Sequence, residues 1–370
     1  MRGGRRVIRT AEPREDAALR KLAGQPMGGA ISLSMRAEPS LFASLPVHGH
    51  DPRVVVAEQG GRLVAMGVIA KRRAFVNGTP AEIGYLGGLR IEPSSRNGMV
   101  LARGYERFGR MHSRELRLPF YLTSIMAENR AALGTLTSGR AGLPVYSEIG
   151  PYHTVLTPAR RLPMAKRADQ GDMALGPEIG WARILRFLNE WGSRKQFFPV
   201  CEESDFGGGA GLYRGLHLSD FLVMKHGQEL LGVMGLWDQR PFRQVCVARY
   251  SPAMNVLRRC ADVLLPSSVI PKFPAPGTPI DLLYAASVAV RDNDPEIFSR
   301  LFGEAIHQAW ARGAALVAVG LFPEDPLAKV LSLLPRWTIR SRIFSVRWPG
   351  GDAAVPTLDG RLRYIELGSL

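Results

Sequence analysis

The stretch Gly84–Tyr105 (GYLGGLRIEPSSRNGMVLARGY) decides the fold prediction for this chain. Its first part predicts a strand, its middle a loop around Pro93, and its last part a helix with apolar residues at helical spacing. Gly87 and Gly88 lie inside the strand and predict a β-bulge. A bulge would separate this strand from its neighbour and leave backbone hydrogen-bonding groups open to a ligand.

The loop of this stretch predicts an anion-binding site. It directs several backbone N–H groups and the N-terminus of the following helix towards one point, which suits a pyrophosphate. Gly98 allows the backbone to approach a ligand closely, and Arg96 adds a charged donor.

On either side of this stretch, the chain reads as two α/β units. In the first unit a β-meander precedes the stretch, and a strand, a short helix and further strands come after it. The second unit repeats this order, with a strand at Ile280–Val290, a helix at Pro295–Arg312 and a closing strand at Leu362–Leu367. The repeated order predicts an internal duplication, and hence an α/β fold with mixed (α+β) sheets in two tandem domains. The predicted boundaries are 1–160 for the first domain, 161–176 for a linker and 177–370 for the second domain.

The charge of the chain is distributed unevenly. The 370 residues include 48 Lys and Arg against 33 Asp and Glu, which gives a net charge of +15. Residues 1–165 hold 24 of the basic and only 12 of the acidic residues. We therefore expect the front half to attract an anionic ligand or partner, such as a phosphorylated cofactor, an acidic peptide or a nucleic acid. An arginine-rich composition explains the total charge equally well, but it explains the uneven distribution less well.

The composition excludes several classes of protein. Apolar residues make up 46% and charged residues 22% of the chain, which is a globular and not a disordered balance. No apolar run reaches the length of about 18 residues that a membrane span needs, so none is expected. Three cysteines without a CxxC pair predict reduced thiols in a cytoplasmic protein, and we expect no metal site.

The central stretch and the segments after it resemble the GNAT-type N-acetyltransferase superfamily. Leu89–Arg96 (LRIEPSSR) is similar to the approach to the pyrophosphate loop of that family. Phe120–Ser124 and the subsequent Asn129–Ala132 (NRAA) resemble the family's next strand and its Asn-x-x-Ala helix. The loop departs from the family pattern, because the first motif glycine falls on Met99 and Gly98 lies one residue early.

The resemblance implies a fold, a cosubstrate and a set of binding residues. The first unit would bind acyl-CoA, with the pantetheine arm along the strand and the pyrophosphate at the loop. The backbone N–H near Leu89 would polarise the thioester carbonyl. The cofactor-binding residues carried over are Leu89, Arg90, Ile91, Arg96, Asn97, Gly98, Met99, Val100 and Asn129.

Catalytic candidates are harder to assign, because the family tyrosine that protonates the departing CoA thiolate is replaced by Leu136. We take Glu82, on the cofactor strand, as the first candidate for a general base. Tyr146 and Tyr152 lie near the strands that usually flank the acceptor cleft, and either could supply the missing acid. Each of these three residues has an equally ordinary structural interpretation. Two weaker candidates for the base are Glu128 and Glu148.

The second unit lacks the anion site. Its strand is followed by Arg291–Pro295 (RDNDP), where two carboxylates would repel a pyrophosphate and no glycine is present. We therefore expect a degenerate GNAT-like domain there, which shapes the acceptor site, stabilises the first unit, or binds a different ligand or partner.

The leading functional hypothesis is an acyl-CoA-dependent N-acyltransferase (a transferase of the N-acetyltransferase type). It would move an acetyl or longer, for example fatty, acyl group from coenzyme A to a primary amine. The acceptor would be a small molecule or the Lys or ornithine side chain of an acidic peptide. The alternative is a non-catalytic GNAT-like module that senses acyl-CoA or binds a peptide. Nucleic-acid binding is not expected, because no helix-turn-helix, zinc-finger or RNA-binding aromatic signature is present.

Overall fold

One continuous β-sheet forms the frame of the molecule. The computed structural model describes residues 6–27, 31–96, 99–140, 142–162, 171–208, 211–256, 258, 274–349 and 356–370. The strands in chain order are β1 (Arg6–Thr10), β2 (Ile31–Arg36), β3 (His50–Gln59), β4 (Arg62–Val76), β5 (Thr79–Ile91), β6 (Tyr121–Met126), β7 (Val145–Pro158), β8 (Asp172–Leu175), β9 (Phe206–Gly207), β10 (Tyr213–Arg214), β11 (Phe221–His226), β12 (Glu229–Trp237), β13 (Gln244–Tyr250), β14 (Leu282–Val290), β15 (Leu316–Leu321) and β16 (Trp337–Arg347). Within the described residues, the main sheet has the strand order β1-β3-β4-β5-β6-β16-β7-β15-β14-β12-β11-β8. This is the mixed α/β fold class that the sequence predicts.

Helices pack against this sheet. They are α1 (Asp16–Ala23), α2 (Leu41–Ser44), α3 (Met99–Met111), α4 (Arg130–Leu136), α5 (Gly176–Ile179), α6 (Trp181–Gly192), α7 (Pro295–Ala311) and α8 (Ala328–Ser332). Helix α3 comes after the predicted loop, and its Tyr105, Phe108 and Met111 join one apolar core with residues of β3, β4, β5 and β6. No helix in the described part of the chain is long and apolar enough to cross a membrane.

The main sheet is symmetrical about its centre. Strands β1, β3, β4, β5 and β6 from the front half of the chain occupy one side, and β8, β11, β12, β14 and β15 occupy the other side in mirrored order. The two central strands are exchanged between the halves. Strand β16 lies beside β6, and strand β7 lies beside β15. Each half therefore completes the other half's side of the sheet.

Each side of the sheet has one parallel strand pair that stays together over only a few residues. Strands β5 and β6 pair at Gly84–Tyr121 and Tyr85–Leu122, and both strands continue beyond these pairs without further pairing. We call this gap the first opening. Strands β14 and β15 pair only up to Tyr284, and the gap beyond that residue is the second opening.

A β-bulge lies next to each opening. In β5, Gly88 and Leu89 together face a single residue of β4, and Gly88 has φ +61°. In β14, the corresponding position is Ser287, with φ +49°, and it forms a bulge against β12. The bulge predicted at Gly87 and Gly88 is thus confirmed, and its counterpart in the second half shows that both halves have the same local architecture.

The structure corrects three predictions of local structure. Leu362–Leu367, expected as a closing strand, makes only an isolated bridge through Arg363 to Gln196 and then enters a turn of 3₁₀-helix. Strand β2 comes directly after the glycine-containing segment 24–30 and pairs with β13 of the second half, although no strand is predicted there. Strand β8 lies inside the segment expected to be linker, and it pairs with β11. The domain boundaries themselves remain a prediction.

Candidate functional site

The first opening leads into a large cavity. The cavity has a volume of about 820 Å³. On the main sheet it is lined by Gly87 and Gly88 of β5 and by Ser124 and Met126 of β6, the strand segments that flank the opening. Strands β2 and β13, one from each half of the chain, also contribute to its wall. The cavity therefore lies where a group that passes through the first opening would emerge.

The wall of the cavity is mostly apolar, with a few charged groups. Apolar side chains come from both halves, among them Leu33, Met66, Val68, Val247, Leu282 and Leu316. Four arginines (Arg36, Arg90, Arg243 and Arg340) and two carboxylates (Glu128 and Asp281) also line it among the described residues. Cationic groups thus outnumber anionic ones in this cavity.

Tyr85 lies in the last residue pair between β5 and β6 before the first opening. It is 3% exposed, and its ring lies against the ring of His48 and under the guanidinium of Arg72, with a Tyr85–His48 centroid distance of 5.2 Å. Its hydroxyl lies close to the α-carbon of Gly87, since a Cβ added there would be 2.4 Å from that oxygen. Burial raises the pKa of Tyr85, and the charges of Arg72, Arg243 and Arg90 oppose that rise. The hydroxyl is therefore protonated at neutral pH.

The groups around Tyr85 are held by hydrogen bonds to backbone oxygens. Arg72 Nε donates to the oxygen of His48 at 2.7 Å, and the same guanidinium donates to the backbone oxygen of Ser369. His48 Nδ1 lies 3.2 Å from that Ser369 oxygen, which requires the tautomer with a proton on Nδ1. Burial, together with Arg243 and Arg72, holds the pKa of His48 well below its usual range. This histidine is therefore neutral, and its ring serves to position Tyr85.

The predicted cofactor residues of β5 fall on two faces of the strand. Leu89 and Ile91 line a small apolar pocket beneath helix α3, together with Val100. Arg90 lies on the opposite face and lines the large cavity. Up to Gly87 the odd-numbered residues of β5 face the cavity, and after the bulge the even-numbered Arg90 does, because one extra residue shifts the alternation by one position. The residues of β5 on the cavity face are therefore Tyr85, Gly87 and Arg90.

The predicted anion-binding residues lie at the start of α3 and α4. Arg96 is exposed, and its Nε donates to the oxygen of Ile91 at 3.1 Å. Met99 is the first residue of α3 and is 57% exposed. Asn129 caps α4 by accepting a hydrogen bond from the N–H of Ala132 at 3.1 Å. The predicted contacts of Asn97 and Gly98 fall outside the described residues.

The structure does not bring the three predicted catalytic residues together. Glu82 is exposed and pairs in register with Arg73, away from the residues that line the cavity. The hydroxyl of Tyr146 is hydrogen-bonded to that of Tyr105 inside the apolar core. Tyr152 is fully buried and donates to the oxygen of Ile365 at 2.7 Å. Tyr146 and Tyr152 therefore pack in the cores of the sheet, and Glu82 lies outside the cavity wall.

Of the two weaker candidates, only one reaches the cavity. Glu128 lies just after β6 and is one of the two carboxylates that line the cavity. Glu148 is exposed and ion-paired with Arg342, whose hydrogen bond lowers its pKa. Leu136, at the position of the family tyrosine, is 6% exposed and belongs to the core under α3. Sequence reasoning missed Tyr85, although its spacing of two residues from Gly87 placed both on one strand face.

The second opening is filled by the chain itself. Glu366, which is 2% exposed, accepts hydrogen bonds from the backbone N–H of Ser287 at 2.8 Å and from the hydroxyl of Tyr364 at 2.9 Å. The N–H of Val288, which corresponds to Leu89 in the first half, donates to the Tyr364 hydroxyl at 3.2 Å. The bulge in β14 therefore has its donors satisfied by the segment 356–370, which we call the tail segment.

The helix beyond the second opening is also satisfied internally. Asp294 caps α7 by accepting hydrogen bonds from the N–H groups of Glu296 at 2.7 Å and Ile297 at 3.4 Å. A carboxylate thus occupies the position where a pyrophosphate would bind, and it repels a second anion. Among the described residues, no group of three or more His, Cys, Asp or Glu side chains is arranged to hold a metal ion.

Comparisons with known proteins identify the fold. One similar solved structure is a GCN5-related glucosamine N-acetyltransferase region of a fungal multi-domain β-N-acetylglucosaminidase, with a TM-score of 0.59 and 12% identity. The match covers 92% of this chain and 38% of that one. Another is a GCN5-related N-acetyltransferase from Sphaerobacter thermophilus, with a TM-score of 0.54 and 11% identity, covering 95% of this chain and 98% of that one. No family model and no curated protein matches the sequence. The chain therefore has the GCN5-related N-acetyltransferase fold expected from its sequence.

Proposed function

We propose that this chain is an acyl-CoA-dependent N-acyltransferase whose reaction takes place at the first opening. It transfers an acetyl or longer acyl group to a primary amine of a small molecule or of a peptide Lys or ornithine side chain. The observation that carries the proposal is the first opening itself, with its bulge at Gly88 and the cavity of about 820 Å³ behind it. A volume of this size lies within the range of about 300–1,000 Å³ that small-molecule sites occupy.

In this proposal the two faces of the sheet at the first opening bind different parts of the substrates. The pyrophosphate of CoA binds at the N-terminus of α3, where the backbone of Met99 and the side chain of Arg96 lie. The pantetheine arm runs along β5, and the acyl group passes through the first opening. The absence of a side chain at Gly87 makes room for the Tyr85 side chain beside this passage, because a Cβ there would meet its hydroxyl. The acceptor amine enters from the cavity.

The reaction requires two proton transfers. The neutral amine nitrogen attacks the thioester carbonyl carbon, so that a C–N bond forms and the C–S bond breaks. The nitrogen loses one proton, and the departing CoA thiolate takes up one proton. Backbone N–H groups at the bulge near Leu89 stabilise the oxyanion that forms on the carbonyl oxygen.

We assign the proton to the thiolate to Tyr85. Its hydroxyl lies beside Gly87, where the thioester would pass, and makes no hydrogen bond with another described residue. Its pKa is raised by burial, so that the group holds a proton at neutral pH and can donate it. Tyr85→Phe is expected to lower kcat by about 100-fold with little change in KM. Tyr146→Phe is the matched control, because that hydroxyl lies in the core and is expected to leave kcat unchanged.

We assign the proton from the amine to Glu128. This residue lies just after β6, at the edge of the cavity, and is partly open to water. A carboxylate in such a position can accept a proton directly or through one water molecule. The other carboxylate in the cavity wall, Asp281, lies just before β14 in the second half, whereas Glu128 lies just after β6, which flanks the first opening.

The first test is binding of a ladder of CoA thioesters, from acetyl to palmitoyl, with free CoA as the reference. Thermal stability is expected to rise with these ligands, because binding to the native state stabilises it. A rise that grows with chain length would identify a long-chain acyl donor, and an equal rise would leave the chain length open. Loss of the rise in Arg96→Ala would place CoA at α3. No rise with any thioester would refute the proposal.

The stoichiometry of CoA binding provides a second test. One CoA per chain is expected, because the tail segment satisfies the bulge of the second opening and Asp294 caps the helix after it. Titration calorimetry with free CoA measures this number directly. A value of two would contradict the view that the tail segment and Asp294 exclude CoA from the second opening.

A second candidate function is acyl-CoA sensing without catalysis. It is favoured by Leu136, which replaces the family tyrosine and is buried in the core. A sensing module would bind the thioesters and yet produce no CoA with any amine. Release of free thiol with a panel of amines, measured for the wild type and Tyr85→Phe, distinguishes the two candidates.

A further inference from the structure

Arg90 is a largely buried cation without an anionic partner. Its Nη1 donates to the oxygen of Leu89 at 2.9 Å, and its Nε is buried without any hydrogen-bond partner. Among the described residues, no carboxylate is hydrogen-bonded to it or ion-paired with it. Burial lowers the pKa of Arg90, the nearby Tyr85 opposes this shift, and the charge of Arg243 adds to it. An isolated charge in such a place is costly unless another group compensates it.

Neighbouring groups do not supply that compensation. Arg243 is itself a cation, and it donates to the backbone oxygens of Gly368 and Leu370. Of the two carboxylates in the cavity wall, Asp281 is ion-paired with Arg240, and Glu128 is exposed. The excess of positive charge is therefore located around Arg90, on the cavity side of β5.

The position of Arg90 separates it from the proposed CoA phosphate site. Leu89 and Ile91, its neighbours on the strand, face α3, where the pyrophosphate is proposed to bind. Arg90 faces the opposite side, where the acyl group and the acceptor would meet. Because Arg90 lines the cavity, its guanidinium is placed to meet a group in the cavity and not the phosphates.

We infer that Arg90 binds a carboxylate carried by one of the two groups that meet in the cavity. This inference rests on the proposed N-acyltransferase function. The planar guanidinium matches a carboxylate through paired hydrogen bonds. The carboxylate belongs either to the acceptor, as in an amino acid with an apolar side chain, or to the acyl group, as in a dicarboxylic acyl-CoA. The apolar wall, with Leu33, Met66 and Val247 among its residues, suits the remaining apolar part of such a ligand.

The experiment compares matched ligands by titration calorimetry on the full chain. One arm uses N-acetyl-leucine against N-acetyl-leucinamide, and the other uses succinyl-CoA against butyryl-CoA. In one of the arms, the carboxylate member is expected to bind about tenfold or more tightly than its neutral partner. Preference in the first arm assigns the carboxylate to the acceptor, and preference in the second assigns it to the acyl group.

Variants test whether Arg90 is responsible. Arg90→Gln is expected to abolish the preference, and Arg90→Lys to retain part of it, because lysine keeps the charge without the planar fork. Arg186→Gln, an exposed arginine on α6, is the matched control and is expected to retain the full preference. Equal binding of both partners in both arms, or a preference that persists in Arg90→Gln, would overturn the inference.

The two proposals fail in distinguishable ways. If free CoA binds and no carboxylate preference is found, the acyltransferase proposal stands and the role of Arg90 is refuted. If CoA does not bind but N-acetyl-leucine does so through Arg90, the cavity is a carboxylate site and the acyltransferase proposal is refuted. Thermal unfolding of each variant without ligand establishes that the comparison is made on folded protein.

Discussion

Replacing Glu366 with alanine is expected to destabilise the chain by about 4 kcal/mol. This carboxylate lies in the second opening and is 2% exposed. Glu366→Ala leaves the N–H of Ser287 and the hydroxyl of Tyr364 without their acceptor, and each buried unsatisfied donor costs about 1–3 kcal/mol. Because domains of this kind are stable by only about 5–15 kcal/mol, such a loss would be a large fraction of the total.

Glu366→Gln is the informative partner of this variant. The amide oxygen can still accept from Ser287 and Tyr364, so these two donors remain satisfied. The amide NH₂ then faces the N–H of Gly368, which lies 3.3 Å from the second carboxylate oxygen in the native structure. We expect a loss of about 1–2 kcal/mol from this single unfavourable contact. The difference between the two variants, about 2 kcal/mol or more, measures the role of the carboxylate as an acceptor.

The pH dependence of the unfolding free energy, compared between the wild type and Glu366→Gln, provides a further check. Burial raises the pKa of Glu366, so its proton is bound more tightly in the native than in the unfolded state. The resulting stability is present below the ordinary Glu pKa and is lost as the pH rises through the raised value. Glu366→Gln does not titrate, and its destabilisation relative to the wild type is therefore expected to be smaller at about pH 8 than at about pH 5.

The assay is urea unfolding followed by tryptophan fluorescence, with the buried Trp237 close to Gly368 as a reporter. The expected order of stability at neutral pH is wild type, then Glu366→Gln, then Glu366→Ala. Equal losses in both variants, or a loss below about 1 kcal/mol in Glu366→Ala, would refute the view that the tail segment satisfies the second opening.

Three further predictions concern the first half of the chain. Gly87→Val places a side chain against the Tyr85 hydroxyl, and kcat/KM is expected to fall about tenfold or more while free CoA binds as before. An unchanged kcat/KM would contradict passage of the acyl group beside Gly87. Glu128→Gln is expected to lower kcat by about 100-fold, and an unchanged kcat would exclude it as the base. Hydrogen bonding to Arg9 lowers the pKa of Glu15 to about 2, so the stability from this pair is present above the ordinary Glu pKa and lost as the pH falls towards 2. Glu15→Gln is expected to reduce the loss of unfolding free energy at acid pH by about 1 kcal/mol at most, since the pair is partly exposed. An unchanged pH profile of the unfolding free energy would exclude this pair as a source of that loss.

The sequence predicted the parts of the fold that depend on local pattern. The strand, loop and helix of Gly84–Tyr105, the bulge at Gly88 and the similar order of elements in both halves result from glycine positions and apolar spacing. The exchange of β7 and β16 could not be predicted in this way. A strand's own residues indicate that it will pair, and several candidate partners satisfy the same alternation.

The site residues show the same division. The cofactor strand was located correctly, but the faces of its side chains depend on the bulge, which moves Leu89 to one side and Arg90 to the other. Glu82 was selected because it is a carboxylate on that strand, although its distance from the opening is set by where pairing with β6 ends. The role of Glu366 depends on contacts between positions 79 residues apart in the chain, which no local pattern contains.

Because β16 lies between β6 and β7, the centre of the sheet can form only late in the synthesis of the chain. The ribosome must produce residues 337–347 before β6 has its neighbour on the central side of the sheet, so the wall of the cavity stays incomplete while the second half is being made. Pairing over such a separation is slow, and an unpaired strand edge invites association with other chains during that interval. Both halves of the chain must therefore be translated before the centre of the sheet is complete.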